Sequence, residues 1–299
     1  MKIIKAGHAG FCFGVKRAVD AISEALKNNS EVWTIGLPIH NPQEVARLKN
    51  IGLRVAKSAD EIPSGSKVLI RAHGESLKVV DDLKSKNIQV TDMTCPFVKK
   101  AQDMAGEFSR KNYFIVLLGD KNHPEIKGII GHINGNNNNF EVVANEVEAE
   151  NLAKKNKIAL ISQTTQRETR LSEVAKILVN KCNELHVCNT ICKATSERQE
   201  SARELVRNNN DIDGVILIGG RESANTGKLR DIIESEGVKV LWIEDSDEVE
   251  KNLKWFVNKN SVGIAAGASA CASARVCPLW AGTAWARRLP CAGPFPQPQ

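Results

Sequence analysis

Short apolar runs alternate along this chain with longer stretches in which hydrophobic residues recur every three or four positions. The runs 31–35, 67–71, 89–92, 113–118, 141–143, 157–161, 184–187, 214–218, 239–243 and 261–265 are too short for buried helices, and they predict strands. Helical periodicity runs through 15–27, 43–50, 75–86, 97–111, 168–181, 197–208 and 226–235. Strands that alternate with amphipathic helices imply parallel sheets with helices on both faces. The pattern divides into three similar portions of related α/β type, without a strict sequence repeat. The segment NGNNNN at 134–139 reads as a turn-rich loop.

Strand after strand runs into a polar loop: IGLPIHN, IRAHGE, TDMTC, LLGDKNHPE, SQTTQ, IGGRESANTGK and AAGAS. In open α/β sheets ligands bind beyond the carboxyl ends of the strands, so loops converging from several units would build one polar central pocket. Loops are polar in any protein, which accounts for their Ser and Asn. It accounts poorly for His40, His73 and His123, three of only six His, in equivalent places.

Three cysteines share one context. Cys12 lies in AGFCFGVKRAV, Cys95 in TDMTCPFVKKA and Cys192 in NTICKATSERQE, each at the mouth of a helical pattern. Helix N-termini offer unpaired N–H groups and a positive dipole end, which stabilise thiolate, the metal-binding form. Buried thiols, catalytic thiols and metal ligands are the options. Structural zinc sites use four ligands in local pairs, a pattern absent here. An iron–sulfur cluster held by three Cys leaves one iron free for substrate, which suits an odd number. Cys182 and Cys188 lack the helix-start context and read as core or surface thiols. The spacing of Cys188 from Cys192 keeps Cys188 open as an accessory ligand.

The cluster His123-Pro124-Glu125 fixes an acid beside an imidazole, and a Glu whose pKa is raised can donate a proton. Thr164 and Thr165 can relay a proton or bond a substrate hydroxyl. His40, His73, His123, Ser223, Asn225 and Ser269 all sit at strand ends, and all are donors of the kind a diphosphate needs. The loop before 226–235 opens a helix, which suits an anion. Neither the GxxxxGK(S/T) spacing nor a GxGxxG fingerprint occurs, so electrons are expected from a carrier and not from bound NAD. A non-catalytic iron–sulfur redox sensor is the rival reading. It has no need for Glu125 and six phosphate-type donors.

The net charge of +6 is mild, and Lys and Arg alternate with Asp and Glu, so nucleic acid is not an expected partner. The start lacks a signal-peptide pattern and no apolar run is long enough for a membrane span, so a soluble cytoplasmic protein is expected. There its eight Cys would not form a disulfide framework. Composition breaks after Ser269. Residues 270–299 contain no Lys, Asp, Glu, Asn or Ile, yet hold three Cys, two Trp and half of the chain's Pro. This tail reads as foreign to the fold, and Cys271, Cys277 and Cys291 are set aside from the chemistry.

The motifs AGFCFGVKRAV, IHNPQEV, RAHGE, DMTCPFV, GDKNHPEIKG, SQTT, TICKATSERQ, SANTGKL and AAGAS, in that order over 1–269, closely resemble the IspH/LytB family of 4-hydroxy-3-methylbut-2-enyl diphosphate reductases. The resemblance implies three small α/β units in a trefoil around a central 4Fe–4S cluster, one per chain. The units would be 14–95, 96–190, and 1–13 with 191–269, leaving 270–299 outside. Cys12, Cys95 and Cys192 match the cluster ligands. Glu125 matches the proton-delivering acid, with Thr164 and His123 beside it. His40, His73, His123, Thr164, Ser223, Ala224, Asn225 and Ser269 match the substrate pocket. The implied reaction is a reductive dehydroxylation giving isopentenyl and dimethylallyl diphosphates, with ferredoxin or flavodoxin as electron donor. Two departures stand out. Ala224 replaces a second Ser beside Asn225, and Ala270-Cys271 follows the GAS motif where relatives continue with Pro and a closing helix.

Overall fold

The computed structural model describes residues 1–28, 31–133 and 139–270. Residues 134–138 of the expected loop, and Cys271, Cys277 and Cys291, lie outside the described residues. From the N-terminus the chain runs β1 (Lys2–Lys5), α1 (Phe13–Asn28), β2 (Val32–Ile35), α2 (Pro42–Asn50), β3 (Leu53–Ala56), β4 (Lys67–Ile70), α3 (Leu77–Ser85), β5 (Gln89–Asp92) and α4 (Pro96–Arg110). It continues through β6 (Phe114–Leu118), α5 (Pro124–Ile130), β7 (Phe140–Val143), α6 (Glu146–Glu150), β8 (Lys155–Ser162), α7 (Glu168–Val179), β9 (Cys182–Cys188) and α8 (Lys193–Arg207). It closes with β10 (Val215–Ile218), α9 (Ala224–Ser235), β11 (Val240–Ile243), α10 (Asp247–Lys251) and β12 (Ser261–Ala266).

The strands form three parallel four-stranded sheets, ordered β3-β2-β4-β5, β7-β6-β8-β9 and β1-β12-β10-β11. Three α/β units therefore stand as a trefoil about one central pocket. The first two sheets share one topology, in which the unit's first strand lies between its second and third, and its fourth lies at the far edge. The last sheet repeats that order when read from β11, with β1 from the other end of the chain as the fourth strand. Lys2 pairs with Ser261 and Lys5 with Ile264. The chain reverses direction across each sheet between the unit's first and third strands. Crevices of this kind hold ligands.

Each sheet is covered on both faces, which is why its central strands read as unbroken apolar runs. Ile115, Leu117, Ala159 and Ile161 point to one face of the second sheet, packing under α4 and α5, while Val116, Leu118, Ile158 and Leu160 pack with α7 on the other. The same division places Val215 and Leu217 opposite Ile216 and Ile218 in the last sheet. Ala270 is buried in the latter cluster, so the packed chain extends one residue past the break in composition. Among the described residues no helix is long and apolar enough to cross a membrane.

The predicted strands and helices are present, with differences that have local causes. β1 and β3, KIIK and LRVA, are four-residue edge strands whose partly exposed pattern carries no strong signal. α5, α6 and α10 span seven, five and five residues, too few for a helical period to register. α8 starts at Lys193, four residues before its predicted start, because the turn KATS holds no large apolar residue. α9 likewise starts at Ala224, capped by Ser223, whose side chain accepts the Thr226 amide.

Candidate active site

The three units deliver their polar residues by one rule. Residues after the first strands are His40, the His123–Glu125 pair, and Ser223 with Asn225. Those after the third strands are His73, Thr164 and Ser269. Cys95, Cys192 and Cys12 follow the fourth strands, β5, β9 and β1. All twelve residues singled out from the sequence, Ala224 included, line a single pocket.

Each cysteine opens a helix. Cys95 and Cys192 are the N-caps of α4 and α8, and Cys12 immediately precedes α1. The Val15 amide donates to Cys12 Sγ at 3.5 Å. The amides of Phe97 and Val98 near Cys95, and that of Thr195 near Cys192, pull each thiol's pKa down. The Thr195 hydroxyl lies 3.0 Å from Cys192 Sγ. Burial raises the thiol pKa of Cys95 and of Cys192, and in both the charge on the neighbouring Cys12 adds to the rise. Those helix amides are what a set of thiolates needs, since a metal centre takes the deprotonated form. Gly14 lets the sulfurs approach: a Cβ there would stand 2.7 Å from Cys95 Sγ. Three thiols with helix amides behind them and, among the described residues, no fourth protein sulfur in the pocket fit a cluster with one open iron better than a structural zinc ion. Cys188 does not join them. It is buried against Ala101, Ala105 and Ile115 beneath α4, which closes its reading as an accessory ligand. Cys182 begins β9, its Sγ donating to the Leu178 carbonyl.

Opposite the sulfurs stand three imidazoles from two sheets. Ring centroids of His40 and His73 are 4.8 Å apart, and His123 lies 5.9 and 5.5 Å from them. Burial lowers the pKa of all three, that of His123 to about 4, and the nearby Arg71 charge adds to the effect. The rings are therefore neutral near pH 7. His123 Nδ1 accepts the Glu125 amide at 3.1 Å as the N-cap of α5, so its proton is assigned to Nε2, facing the pocket as a donor. Ring nitrogens of the three lie within 4.8 Å of one another, close enough to suggest a metal. A His123 with Nδ1 occupied and Nε2 protonated has no lone pair to give one, and the trio suits an anion instead. Both ring nitrogens of His40, Nδ1 of His73, both side-chain polar atoms of Asn225 and Oγ of Ser269 are buried without a hydrogen-bond partner. Buried polar groups normally have partners, so this set marks where a polar ligand belongs. Ala224 and Asn225 of the first turn of α9 line the same space, and a helix start suits a negative charge.

Glu125 sits between these two halves. It is 2 % exposed, and burial raises its pKa to about 7 against the opposing pull of its hydrogen bonds. Oε1 accepts the Thr164 amide at 2.6 Å and Oε2 accepts the Thr164 hydroxyl at 2.8 Å. The Thr164 carbonyl accepts the Cys192 amide at 3.0 Å. The Glu125 charge also adds to the rise in the Cys192 pKa, and both residues line the same pocket.

Sequence reasoning missed several supports. Asn41 accepts the Glu44 amide as the α2 cap and donates to the Ser269 carbonyl at 2.8 Å, joining two sheets. Its N-P-x-E setting signals the cap but not the second bond. Thr195 and Arg198 stand within two turns of Cys192, and only the helix start at Lys193 reveals that they face the sulfurs.

The sequence profile of the LytB protein family matches residues 3–275. The chain is 41 % identical over 268 residues to 4-hydroxy-3-methylbut-2-enyl diphosphate reductase of Aquifex aeolicus, covering 89 % of this chain and 91 % of that protein. It is 42 % identical over 270 residues to the protein of the same name from Campylobacter hominis, covering 90 % and 94 %. A solved (E)-4-hydroxy-3-methyl-but-2-enyl diphosphate reductase, described as the terminal enzyme of the non-mevalonate pathway, superposes with a TM-score of 0.64 at 40 % identity over 90 % of this chain and 94 % of its own. The Plasmodium falciparum E-1-hydroxy-2-methyl-but-2-enyl-4-diphosphate reductase superposes with a TM-score of 0.83 at 24 % identity over 90 % and 83 %, a likeness that carries the fold.

Proposed function

The chain belongs to the LytB protein family, and on that premise we propose that it is a 4-hydroxy-3-methylbut-2-enyl diphosphate reductase. The substrate's allylic C–O bond breaks, two electrons and two protons enter, and isopentenyl or dimethylallyl diphosphate leaves with one water. Cys12, Cys95 and Cys192 would hold a 4Fe–4S cluster, which when bound supplies the electrons and a Lewis-acidic iron for the hydroxyl. Ferredoxin or flavodoxin would deliver the electrons. The five described cysteines are all free, as a reducing, cytoplasmic setting would keep them. The proposed units are 14–95, 96–190, and 1–13 with 191–269.

His40, His73 and His123 hold the diphosphate as neutral donors, joined by Ser223, Asn225, Ser269 and the first amides of α9. Their unpartnered polar atoms find partners in its oxygens. Binding the anion there orients the allylic end toward the sulfurs. Glu125, protonated below about pH 7, gives its proton at a carboxyl oxygen held by Thr164. The Thr164 amide and hydroxyl stabilise the carboxylate left behind. The observation that carries this reading is one pocket with a near-neutral buried acid between thiols and orphaned anion donors. A redox sensor would leave the acid and those donors without a task.

The test is anaerobic purification, followed by an assay with the hydroxylated allylic diphosphate and a reduced low-potential dye, with Glu125→Gln alongside. Turnover by the parent and its near-loss in the variant, with equal iron content, is the expected result. A parent that carries its full iron but does not turn over would overturn the reading.

A further inference from the structure

Arg198 lies on α8 and is only 7 % exposed. Its guanidinium donates to the Ala194 carbonyl at 2.9 Å and to the Gly10 carbonyl at 2.8 Å, while Nε has no partner. Among the described residues no carboxylate pairs with it. The adjacent Glu197 is engaged by Lys193 at 3.4 Å. Burial pulls its pKa down, and the charges that oppose this are first those of Cys12 and Cys192 as thiolates and then that of Glu197. A buried cation is costly without a counter-anion, and carbonyl dipoles do not neutralise it. The two carbonyls it holds belong to the segments that carry those same two cysteines. Gly10 precedes Cys12, and Ala194 is in the first turn after Cys192.

We propose that Arg198 is a positioning residue, the built-in counter-cation of the thiolate set, which ties the Cys12 segment to the Cys192 helix and makes the bound cluster easier to reduce. The inference rests on the cluster reading above. Adding an electron increases the negative charge beside Arg198, so its positive charge favours the reduced state. Net charge and hydrogen bonding around the sulfurs are the protein's means of setting such potentials. In the cluster-free chain the same charge lacks its partner.

The experiment compares the parent, Arg198→Lys, Arg198→Gln and Arg198→Met. Each is reconstituted with iron and sulfide, its iron content measured, and its midpoint potential found by a redox titration followed by electron paramagnetic resonance. Gln and Met should shift the midpoint to more negative values, and Lys should remain closer to the parent. Thermal unfolding of the cluster-free proteins gives an independent reading, in which Met should melt at or above the parent. Its gain in melting temperature on cluster loading should be smaller than the parent's. An unchanged midpoint in Met and Gln at full iron content would overturn the proposal and leave the cluster reading standing. Cluster-free Met and Gln chains that both fail to fold would overturn it too, making Arg198 a structural residue. A parent that takes up no cluster would overturn the cluster reading and this inference together.

Discussion

Thr164 grips both oxygens of Glu125, with its amide 2.6 Å from one and its hydroxyl 2.8 Å from the other. Both bonds favour the ionised carboxylate, and complete burial opposes them and wins, leaving the acid near pH 7. The same residue's carbonyl accepts the Cys192 amide. The acid is therefore fixed relative to the sulfur loop through one threonine. The spacing between this carboxyl and the Cys192 loop thus runs through the backbone of one residue, which is stiffer than a chain of side chains.

Turnover should fall as pH rises through about 7, because above that value Glu125 is ionised and has no proton to give. A pH profile of kcat/KM with dye as reductant measures it. Glu125→Gln should show low turnover without that limb. A parent profile flat from pH 6 to 8.5 would remove Glu125 from the proton-delivery role.

Thr164→Val deletes the hydroxyl bond that favours the carboxylate, so the alkaline limb should move to higher pH. Loss of orientation should also lower kcat by about tenfold to a hundredfold. Thr164→Ser keeps the hydroxyl and should behave like the parent. Comparing the two profiles separates a shifted proton affinity from a general loss of structure.

In the cluster-free fold His123 works against stability in acid, as do His40 and His73, while Glu125, whose folded pKa is raised, works in the opposite sense over the same window. Above pH 6.5 the His123 ring is neutral whether folded or unfolded. Between 6.5 and about 4 only the unfolded chain protonates this ring, so the ring's own contribution to stability falls as pH drops through that window. The loss attributable to this ring is about 3 kcal/mol. Urea unfolding of the parent and of His123→Asn at pH 7 and pH 4.5 measures it, as the difference between their pH dependences. His123→Asn keeps a cap for α5 and should lose about that much less stability than the parent between pH 7 and pH 4.5, and an equal pH dependence in the variant would contradict the assignment.

Gly14→Ala should cost the cluster before it costs the fold. The added methyl would lie 2.7 Å from Cys95 Sγ and 3.1 Å from its Cβ, inside any contact distance, and must push the sulfur out of place. Iron content after reconstitution should fall several-fold, with the far-ultraviolet circular dichroism unchanged. Full iron loading in the variant would show that the sulfur has room to move.

Most of this site was legible in the sequence because its residues obey local rules. Pro96 after Cys95 marks a helix start, and His40, His73 and His123 each end an apolar run. What stayed hidden depends on distant partners. KIIK at the start has no local reason to be a strand until β12 lies beside it. Asn41 reads as a cap, but its bond to the Ser269 carbonyl joins loops at opposite ends of the chain. Arg198 reads as one charge on a polar helix, and only its burial and its bond to Gly10 set it apart. Cys188 looked like a partner for Cys192 by spacing, yet the end of β9 turns its sulfur into the core.

The pairing of β1 with β12 also governs when the protein can be finished. The first two sheets are each built from one continuous stretch, and they can close while the chain is still leaving the ribosome. The third lacks its edge until Ser261–Ala266 have been made, since Lys2–Lys5 have no other strand to join. Long-range closure of this kind comes late in folding. Cys12, whose amide is held by the Ala268 carbonyl, is seated only then. Cys192 also opens α8, whose Ala202, Leu205 and Val206 pack on the third sheet, so a ribosome that stalls before residue 261 leaves a product in which neither Cys12 nor Cys192 has reached its place beside Cys95.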